Sequence, residues 1–138
     1  MDAQDFTDVI QVCTDGSSLS EKGVTTAVEL AKTLGLPLLG MTVVKGDAPE
    51  NGLEGVPQEV RDRLQTIVEE AEAAGIRYQV IAEHAATPHE GILDVAMRYD
   101  ARFIVMASRG LGSLGSLFLG SETQKTLAEA DRPVLVIR

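Results

Sequence analysis

Short apolar runs alternate along this chain with longer segments in which apolar residues recur every three to four positions. The first run, 9–13, is followed by a polar turn and then by helical periodicity over 20–34. Ser18 and Glu21 have the spacing of a capping box, and Gly35 is a typical helix terminator. The first predicted unit is therefore a strand, a turn and an amphipathic helix.

The same unit recurs along the rest of the chain. The remaining predicted strands span 38–44, 76–82, 103–106 and 133–137, and the remaining predicted helices span 57–74, 88–98 and 122–130. Thr87, Pro88 and Glu90 supply an N-cap, a proline at the first helical position and a capping-box glutamate for the third helix. Strands that alternate with helices predict an α/β fold, in which helices cover both faces of a five-stranded parallel sheet.

The character of each strand indicates its place in the sheet. Strands one, four and five are nearly continuous apolar runs, whereas strand three alternates apolar and polar residues from Ile76 to Val80, as an edge strand does. A strand order of 3-2-1-4-5 puts strand five at the other edge. Because an apolar edge strand associates unless it is covered, we expect a homodimer through 133–137.

Composition removes several classes of function. The 138 residues carry 12 Lys and Arg against 21 Asp and Glu, for a net charge of −9, with five aromatic residues and no Trp. A nucleic-acid-binding protein needs a basic face and aromatic stacking surfaces, so nucleic acid is excluded as a partner. A chain of this length is expected to form one domain over 1–138 with its own core.

Compartment signals agree with a cytoplasmic protein. The single cysteine, Cys13, excludes an internal disulfide and a cysteine-rich zinc site. The first eight residues are acidic where a signal peptide would be basic, and no apolar run is long enough for a membrane span. We expect a cytoplasmic protein without membrane insertion, whose protein partner the sequence does not identify.

The most unusual segment of the chain is 107–121. It holds four glycines, four serines and one arginine, and no carboxylate occurs anywhere in 101–121. Glycines allow backbone N–H groups to approach an anion, and the following helix adds a positive N-terminus. This segment therefore predicts a phosphate site.

Two familiar phosphate motifs nearly fit this segment. The stretch 115–120 has Walker A spacing, but Ser121 and Glu122 follow where a lysine is needed. The stretch 110–115 matches the dinucleotide fingerprint, with Asp131 about twenty residues on. The strongest helix start, a capping box from Ser121 to Gln124, comes too late for that fingerprint, so NAD-type binding is disfavoured.

The predicted topology gives the phosphate segment a partner. In an open parallel sheet, ligands bind at the carboxyl ends of the two strands where the winding reverses, here strands one and four. Strand one is followed by Thr14-Asp15-Gly16-Ser17, and strand four by Ala107-Ser108-Arg109-Gly110. The first turn offers a carboxylate to ribose hydroxyls or an adenine amino group, and the second offers phosphate donors.

At this point the sequence resembles the universal stress protein family over essentially its whole length. The resemblance rests on the strand leading into Asp15-Gly16-Ser17, the Thr-Pro turn before the third helix, and the closing apolar strand. Nucleotide-binding members share the signature Gly, two residues, Gly, nine residues, Gly and Ser or Thr. Here Gly110, Gly120 and Ser121 fit this signature, and Ala107 replaces its first glycine.

The resemblance implies a Rossmann-like three-layer sandwich of the adenine nucleotide alpha hydrolase type and a dimer through the last strand. It also implies bound ATP or another adenine nucleotide such as cAMP, with Mg or Mn held through the phosphates. It assigns Asp15 to the ribose and adenine, the Val43 backbone to the adenine, and Arg109 to neutralisation of the phosphates. The full set of implied ligand contacts is Thr14, Asp15, Val43, Met106, Ala107, Arg109, Gly110, Gly120, Ser121, Glu122 and Thr123.

Three functions remain open at this stage. The leading hypothesis is a regulatory module that holds ATP with slow or no turnover, since no residue arrangement identifies a general base. The alternatives are a slow ATPase that needs a divalent ion, and a stress-response dimer that works through protein contacts without nucleotide. Ala107 motivates the last, because an alanine there is harmful if the position needs positive φ or if its methyl meets the ligand.

Several candidate residues also have structural explanations. Ser121 has the position of an N-cap and Asp15 that of a turn former, while Arg109 can be merely solvated. Cys13 is expected to act as a small hydrophobe in the core, and His84 and His89 are expected at the surface. The charged segment 54–72, which includes two arginines, is expected to form a solvated helix face.

Overall fold

The computed structural model describes residues 6–110 and 119–138. The five strands found there are β1 (Ile10–Cys13), β2 (Leu38–Lys45), β3 (Tyr78–Ala85), β4 (Phe103–Ala107) and β5 (Val134–Ile137). The four α-helices are α1 (Ser18–Leu34), α2 (Gln58–Ala74), α3 (Pro88–Arg98) and α4 (Ser121–Glu129). Strand and helix alternate as the hydrophobic pattern predicts.

The strands form one parallel sheet in the order β3-β2-β1-β4-β5, which confirms the predicted order. β1 lies at its centre, and Val12 pairs with Gly40 on one side and Val105 on the other. β1 ends at Cys13, whose partner on β2 is Met41, while β2 continues four residues further. The carboxyl end of the sheet is therefore open above β1.

Helices cover both faces, as expected for a three-layer α/β sandwich. Apolar residues of α1 and α2, among them Ala27 and Ile67, pack against one face of the sheet. Ile92 and Val95 of α3 pack against the other face, and α4 lies beside α3. Burial of these apolar faces is the main force that holds the layers together.

The predicted ends of α1, α2 and α3 are confirmed, whereas α4 ends one residue early, at Glu129, and the predicted N-caps of α1 and α4 are wrong. Gly35 and Gly75 end α1 and α2 in the left-handed conformation, with φ of 69° at both. At the start of α1, however, the cap is Ser17 and not Ser18, since the Ser17 hydroxyl accepts from the Ser20 amide at 3.2 Å. At α4 the cap position is Gly120, so Ser121 is the first helical residue and not an N-cap.

Four of the five strands differ from the pattern-based prediction by one residue at one end, and β3 differs by more. β3 runs from Tyr78 to Ala85, about two residues later than predicted, because its last residues pair with the extension of β2, ending with Lys45 opposite Ala85. The connection between β2 and α2 contains a short 3₁₀-helix from Gly52 to Gly55, which the hydrophobic pattern does not predict. Pairing with a neighbour extended the strand beyond its apolar run.

Gly40 shows how closely α2 packs on the sheet. A Cβ built on Gly40 would lie 2.6 Å from Cγ2 and 2.7 Å from Cδ1 of Ile67, a fully buried side chain of α2. The missing side chain therefore makes room for Ile67 and sets the distance between the helix and the central strands.

We expect Gly40→Ala to lower the free energy of unfolding by about 1–3 kcal/mol, because the new methyl overlaps Ile67. The double variant Gly40→Ala/Ile67→Ala should lose less unfolding free energy than the two single variants lose together, because the overlap is gone. Gly23→Ala in α1 is the matched control: the nearest atom would lie 3.7 Å away, so the change should stabilise by up to about 1 kcal/mol. Urea unfolding measures the wild type and the four variants, including Ile67→Ala alone, and additivity of the pair would contradict the packing argument.

Candidate functional site

The turn after β1 is fixed by side-chain hydrogen bonds. Asp15 accepts from the Ser17 amide through Oδ1 at 2.9 Å. Thr14 accepts from the Gly16 amide at 3.2 Å, and its hydroxyl lies 3.0 Å from that of Ser20. Short polar side chains that bond to nearby backbone hold such turns rigid. The Asp15 carboxylate is therefore held at the open end of the sheet.

The segment after β4 meets this turn. A Cβ on Gly110 would collide with Oδ2 of Asp15, so with any other residue at position 110 the Asp15 carboxylate would have to move. The structure thus brings together the ends of strands one and four, as the topology predicts.

The chain returns to the same place at the start of α4. The Gly120 amide donates to the Ser108 carbonyl at 2.7 Å, and the Thr123 hydroxyl donates to the Ala107 carbonyl at 2.9 Å. A Cβ on Gly120 would lie 3.3 Å from the Arg109 Cα, so this crossing also depends on glycine. These contacts lock the N-terminus of α4 against the end of β4.

The N-terminus of α4 has no side-chain cap among the described residues. The first amides of a helix have no partner within the helix and carry a partial positive charge. The first three residues of α4, Ser121, Glu122 and Thr123, line a cavity at the open end of the sheet. Their arrangement is suited to an anionic ligand.

A cavity of about 360 Å³ occupies the open end of the sheet. Its volume lies within the roughly 300–1,000 Å³ of small-molecule sites. The residues that line it are Cys13, Asp15, Ser20, Arg63, Pro88, Ile92, Met106, Ala107, Arg109, Gly110, Gly120, Ser121, Glu122 and Thr123.

Nine of the eleven residues expected at a ligand site line this cavity. The other two, Thr14 and Val43, lie beside it. Thr14 is buried and supports the turn that carries Asp15. The Thr14 amide donates to the Met41 carbonyl, and peptide orientation alternates along a strand, so the peptide groups of Val43 face the space beyond the end of β1.

Ala107 occupies an ordinary strand position. It lies in β4, opposite Ile137 of β5, and is 9% exposed. Within the described parts of the chain, the non-glycine residues with positive φ are Asp8 and Asp100, and Ala107 is not among them. An alanine therefore strains no backbone here, and most of its surface is packed within the protein.

Sequence reasoning placed Arg63 on a solvated helix face, which is wrong. Its side chain leaves α2 over the turn after β1, where a Cβ on Gly16 would lie 2.9 Å from its Nε, and it lines the cavity with Arg109. Gly16 itself has φ of +88°, which favours glycine. A helical pattern marks Arg63 only as a polar position, so no sequence signal distinguished it from Arg61.

Both cavity arginines lack a protein counter-ion in the described residues. Arg98, Arg102 and Arg132 form ion pairs away from the cavity, and none of the ion pairs within 6–110 and 119–138 involves Arg63 or Arg109. In a chain with a net charge of −9, two such arginines in one cavity are suited to an anion.

The expectation that His89 lies at the surface is also wrong. Its side chain is 13% exposed and contacts two carboxylates of α4. Nδ1 lies 2.7 Å from Oε2 of Glu122, and the same oxygen accepts from the His89 amide at 3.1 Å. Glu122, expected to contact a ligand, lines the cavity but directs this oxygen to His89. The charge pattern had no means of predicting this pair, because its members are 33 residues apart.

Cys13 packs against the apolar cluster between the sheet and α3, as expected, but it also lines the cavity wall. Burial, reinforced by the negative charge of Asp15 and opposed by Arg63, raises the pKa of its thiol from 9.0 to about 12. The thiol is therefore protonated and unreactive near neutral pH.

The interpretation of 110–120 as a Walker or dinucleotide motif involves residues 111–118, which lie outside the described residues. Within the described ranges, no three His, Cys, Asp or Glu side chains converge as a metal site. No helix in those ranges is both long enough and apolar enough to cross a membrane.

Comparison with known proteins points to one family. The model of the universal stress protein family matches residues 7–138. A universal stress protein of Thermus aquaticus is 57% identical over 51 residues, which are 37% of this chain and 37% of that protein. Universal stress protein YxiE of Bacillus subtilis is 29% identical over 143 residues, covering 92% of this chain and 96% of its own.

Solved structures share the fold. A universal stress protein from Archaeoglobus fulgidus superposes with a TM-score of 0.78 at 23% identity, covering 96% of this chain and 99% of its own. A universal stress protein in complex with cAMP gives 0.79 at 19% identity over 96% and 98% of the two chains. One from Archaeoglobus fulgidus in complex with dAMP gives 0.72 at 21% identity, also over 96% and 98%.

We expect Cys13 to react with iodoacetamide at least ~10-fold more slowly in the folded protein than in urea at pH 8, because its raised pKa leaves little thiolate. The folded rate should still rise about tenfold between pH 10 and pH 11, where a thiol with the ordinary pKa of 9.0 is already close to its plateau. As the unfolded chain loses the proton first, the thiol's contribution to stability should also fall as pH rises from 9.0 towards about 12. Mass spectrometry of the single cysteine follows the reaction, and a rate that levels off above about pH 10 would contradict the burial argument.

Proposed function

This chain belongs to the universal stress protein family, and we propose that it binds an adenine nucleotide, ATP in the first place, in the cavity at the carboxyl ends of β1 and β4. The occupied site signals to a partner protein, with slow or no turnover. One observation carries the proposal: a single cavity joins a carboxylate, two arginines and a helix N-terminus, and among the described residues neither arginine has a counter-ion and the helix has no side-chain cap.

The phosphates bind at the half of the cavity formed by Gly110, Gly120 and the start of α4, which we call the anion half. Here backbone amides, a helix dipole and Arg109 all favour negative charge. Within 101–121 the sequence has no carboxylate, so the segment itself adds no repulsion.

The nucleoside binds at the other end, towards β1 and β2. Asp15 is held there by its turn and accepts from ribose hydroxyls or the adenine amino group. The peptide groups of Val43 face the space beyond β1 and supply backbone hydrogen bonds to the base. Met106 and Ile92 offer an apolar surface for it.

Two of the similar structures contain cAMP and dAMP, which supports an adenine nucleotide as the ligand class. A divalent ion, Mg or Mn, binds through the phosphates. Asp15 and Glu122 are the carboxylates in the cavity wall, but no third ligand joins them in the described residues. The nucleotide therefore supplies most of the ion's ligands.

Ala107 does not argue against this function. The nucleotide-independent alternative needs an alanine that strains the backbone or blocks the ligand. At Ala107 the φ angle is not positive and the residue is 9% exposed. Slow turnover is favoured because two acid–base groups beside the start of α4, Glu122 and His89, are bonded to each other.

We expect Arg63→Gln to weaken ATP binding by roughly ten- to a hundredfold in isothermal titration. The reason is the loss of one charge-assisted contact, which is worth about 1.5–3 kcal/mol. Arg61→Gln is the matched control, two residues away on α2 with its guanidinium bonded to Gln58, and should bind as the wild type does. Ala107→Gly should change the affinity by less than about threefold, since neither strain nor a clash is relieved.

Two results would contradict the proposal. A wild-type protein that binds neither ATP nor cAMP, with or without magnesium, would overturn nucleotide binding itself. Tight binding only in Ala107→Gly would show that the alanine has closed the site.

The proposal includes a homodimer through β5. Pro133 and Ile137 accept hydrogen bonds from β4, so the alternating peptide groups of Val134 and Val136 face the open edge. Leu135 is 38% exposed on this apolar strand. A second copy pairing at this edge covers both the peptide groups and the apolar side chains.

We expect Val136→Pro to turn the dimer into a monomer, because proline removes an outward N–H without removing a hydrogen bond to β4. Val136→Ala keeps that N–H and should remain dimeric. Size-exclusion chromatography with light scattering measures both variants, and a dimeric Val136→Pro would rule out this interface.

A further inference from the structure

We propose that His89 is a positioning residue of the nucleotide site: it holds the Glu122 carboxylate on α3 and so keeps it out of the anion half of the cavity. The inference rests on the proposed function, because it concerns the affinity of that site for phosphates. Neither residue belongs to the glycine signature, and the pairing is visible only in the fold.

His89 grips Glu122 by two hydrogen bonds. The Glu122 Oε2 atom accepts from the His89 amide at 3.1 Å and from the ring Nδ1 at 2.7 Å. The amide belongs to the first turn of α3, which has no side-chain cap of its own. The carboxylate thus binds at the N-terminus of α3, where backbone dipoles favour a negative charge.

The ring itself is held in place. Nε2 lies 3.4 Å from Oε2 of Glu129, two turns further along α4 on the same face as Glu122. The Thr87 hydroxyl lies 3.2 Å from Nδ1, and Pro88 fixes the backbone at the start of α3. With 13% of its side chain exposed, His89 has little freedom to turn away.

Without this grip, Glu122 is well placed to inhibit binding. It is the second residue of α4, and its neighbours Ser121 and Thr123 line the same cavity. A carboxylate in the first turn of a helix is attracted to that helix's own free amides. A released Glu122 would compete with phosphate for the amides of α4 and repel each phosphate charge across a few ångströms.

The arrangement has a purely structural alternative, in which the bridge only ties α3 to α4. The two explanations differ in what Glu122→Gln does once His89 has been removed. Both His89→Ala and His89→Ala/Glu122→Gln lack the imidazole contact and keep only the backbone amide of residue 89, so a structural role predicts equally weak binding. A positioning role predicts recovery in the double variant, because the neutral amide no longer repels phosphate.

The test is isothermal titration of ATP, ADP and adenosine into the full chain, with thermal melting of the ligand-free proteins alongside. We expect His89→Ala to weaken ATP binding by about tenfold, ADP less, and adenosine hardly at all, because the repulsion grows with ligand charge. The double variant should return to within about threefold of the wild type while melting no higher than His89→Ala. Glu129→Gln is the control, since it leaves the Glu122 contacts intact and should bind ATP as the wild type does.

Two results overturn the inference: wild-type affinity in His89→Ala, or a double variant as weak as His89→Ala. If His89→Ala does not fold, His89→Phe keeps a ring in the packed position, removes the donor and supports the same comparison. A wild-type protein that binds none of the three ligands overturns the proposed function together with this inference. If the wild-type protein binds ATP and all the variants bind it with the same affinity, this inference alone is overturned.

Discussion

β1 ends at Cys13, whereas its neighbour β2 continues to Lys45, and the chain leaves β1 and β4 towards opposite faces of the sheet. This difference in strand length opens the cavity at the reversal of winding, where parallel α/β sheets bind their ligands. It exposes the peptide groups of Val43 and gives Asp15 its position above the sheet. A longer β1 would cover the same edge with strand hydrogen bonds and leave no room for a nucleoside.

The charge distribution follows from this geometry. A net charge of −9 opposes an anionic ligand at long range, but salt screens that repulsion beyond about 10 Å. Inside the cavity the nearest charges decide, and they include Arg63 and Arg109 without protein counter-ions among the described residues. The acidic residue beside the anion half, Glu122, is bonded to His89. An acidic protein can therefore hold one local site for phosphate.

Hydrophobic periodicity predicted the five strands and four α-helices of the described residues, together with the strand order, because burial on one or both faces determines the apolar pattern. It also predicted that the ends of strands one and four meet. It missed Arg63, whose reach over Gly16 depends on how α2 packs against Gly40, and it missed the pair of His89 and Glu122. Such contacts join residues far apart in sequence, and local patterns carry no record of them.

The glycine signature illustrates the same limit within a single motif. A Cβ at Gly110 would displace the Asp15 carboxylate, and a Cβ at Gly120 would crowd the Arg109 backbone at 3.3 Å. The position of Ala107 makes no such demand: it lies in β4, its φ is not positive, and its carbonyl accepts from Thr123 whatever the side chain. Positions that share one motif thus carry different physical constraints. The loss of the first glycine leaves intact both close approaches that shape the anion half.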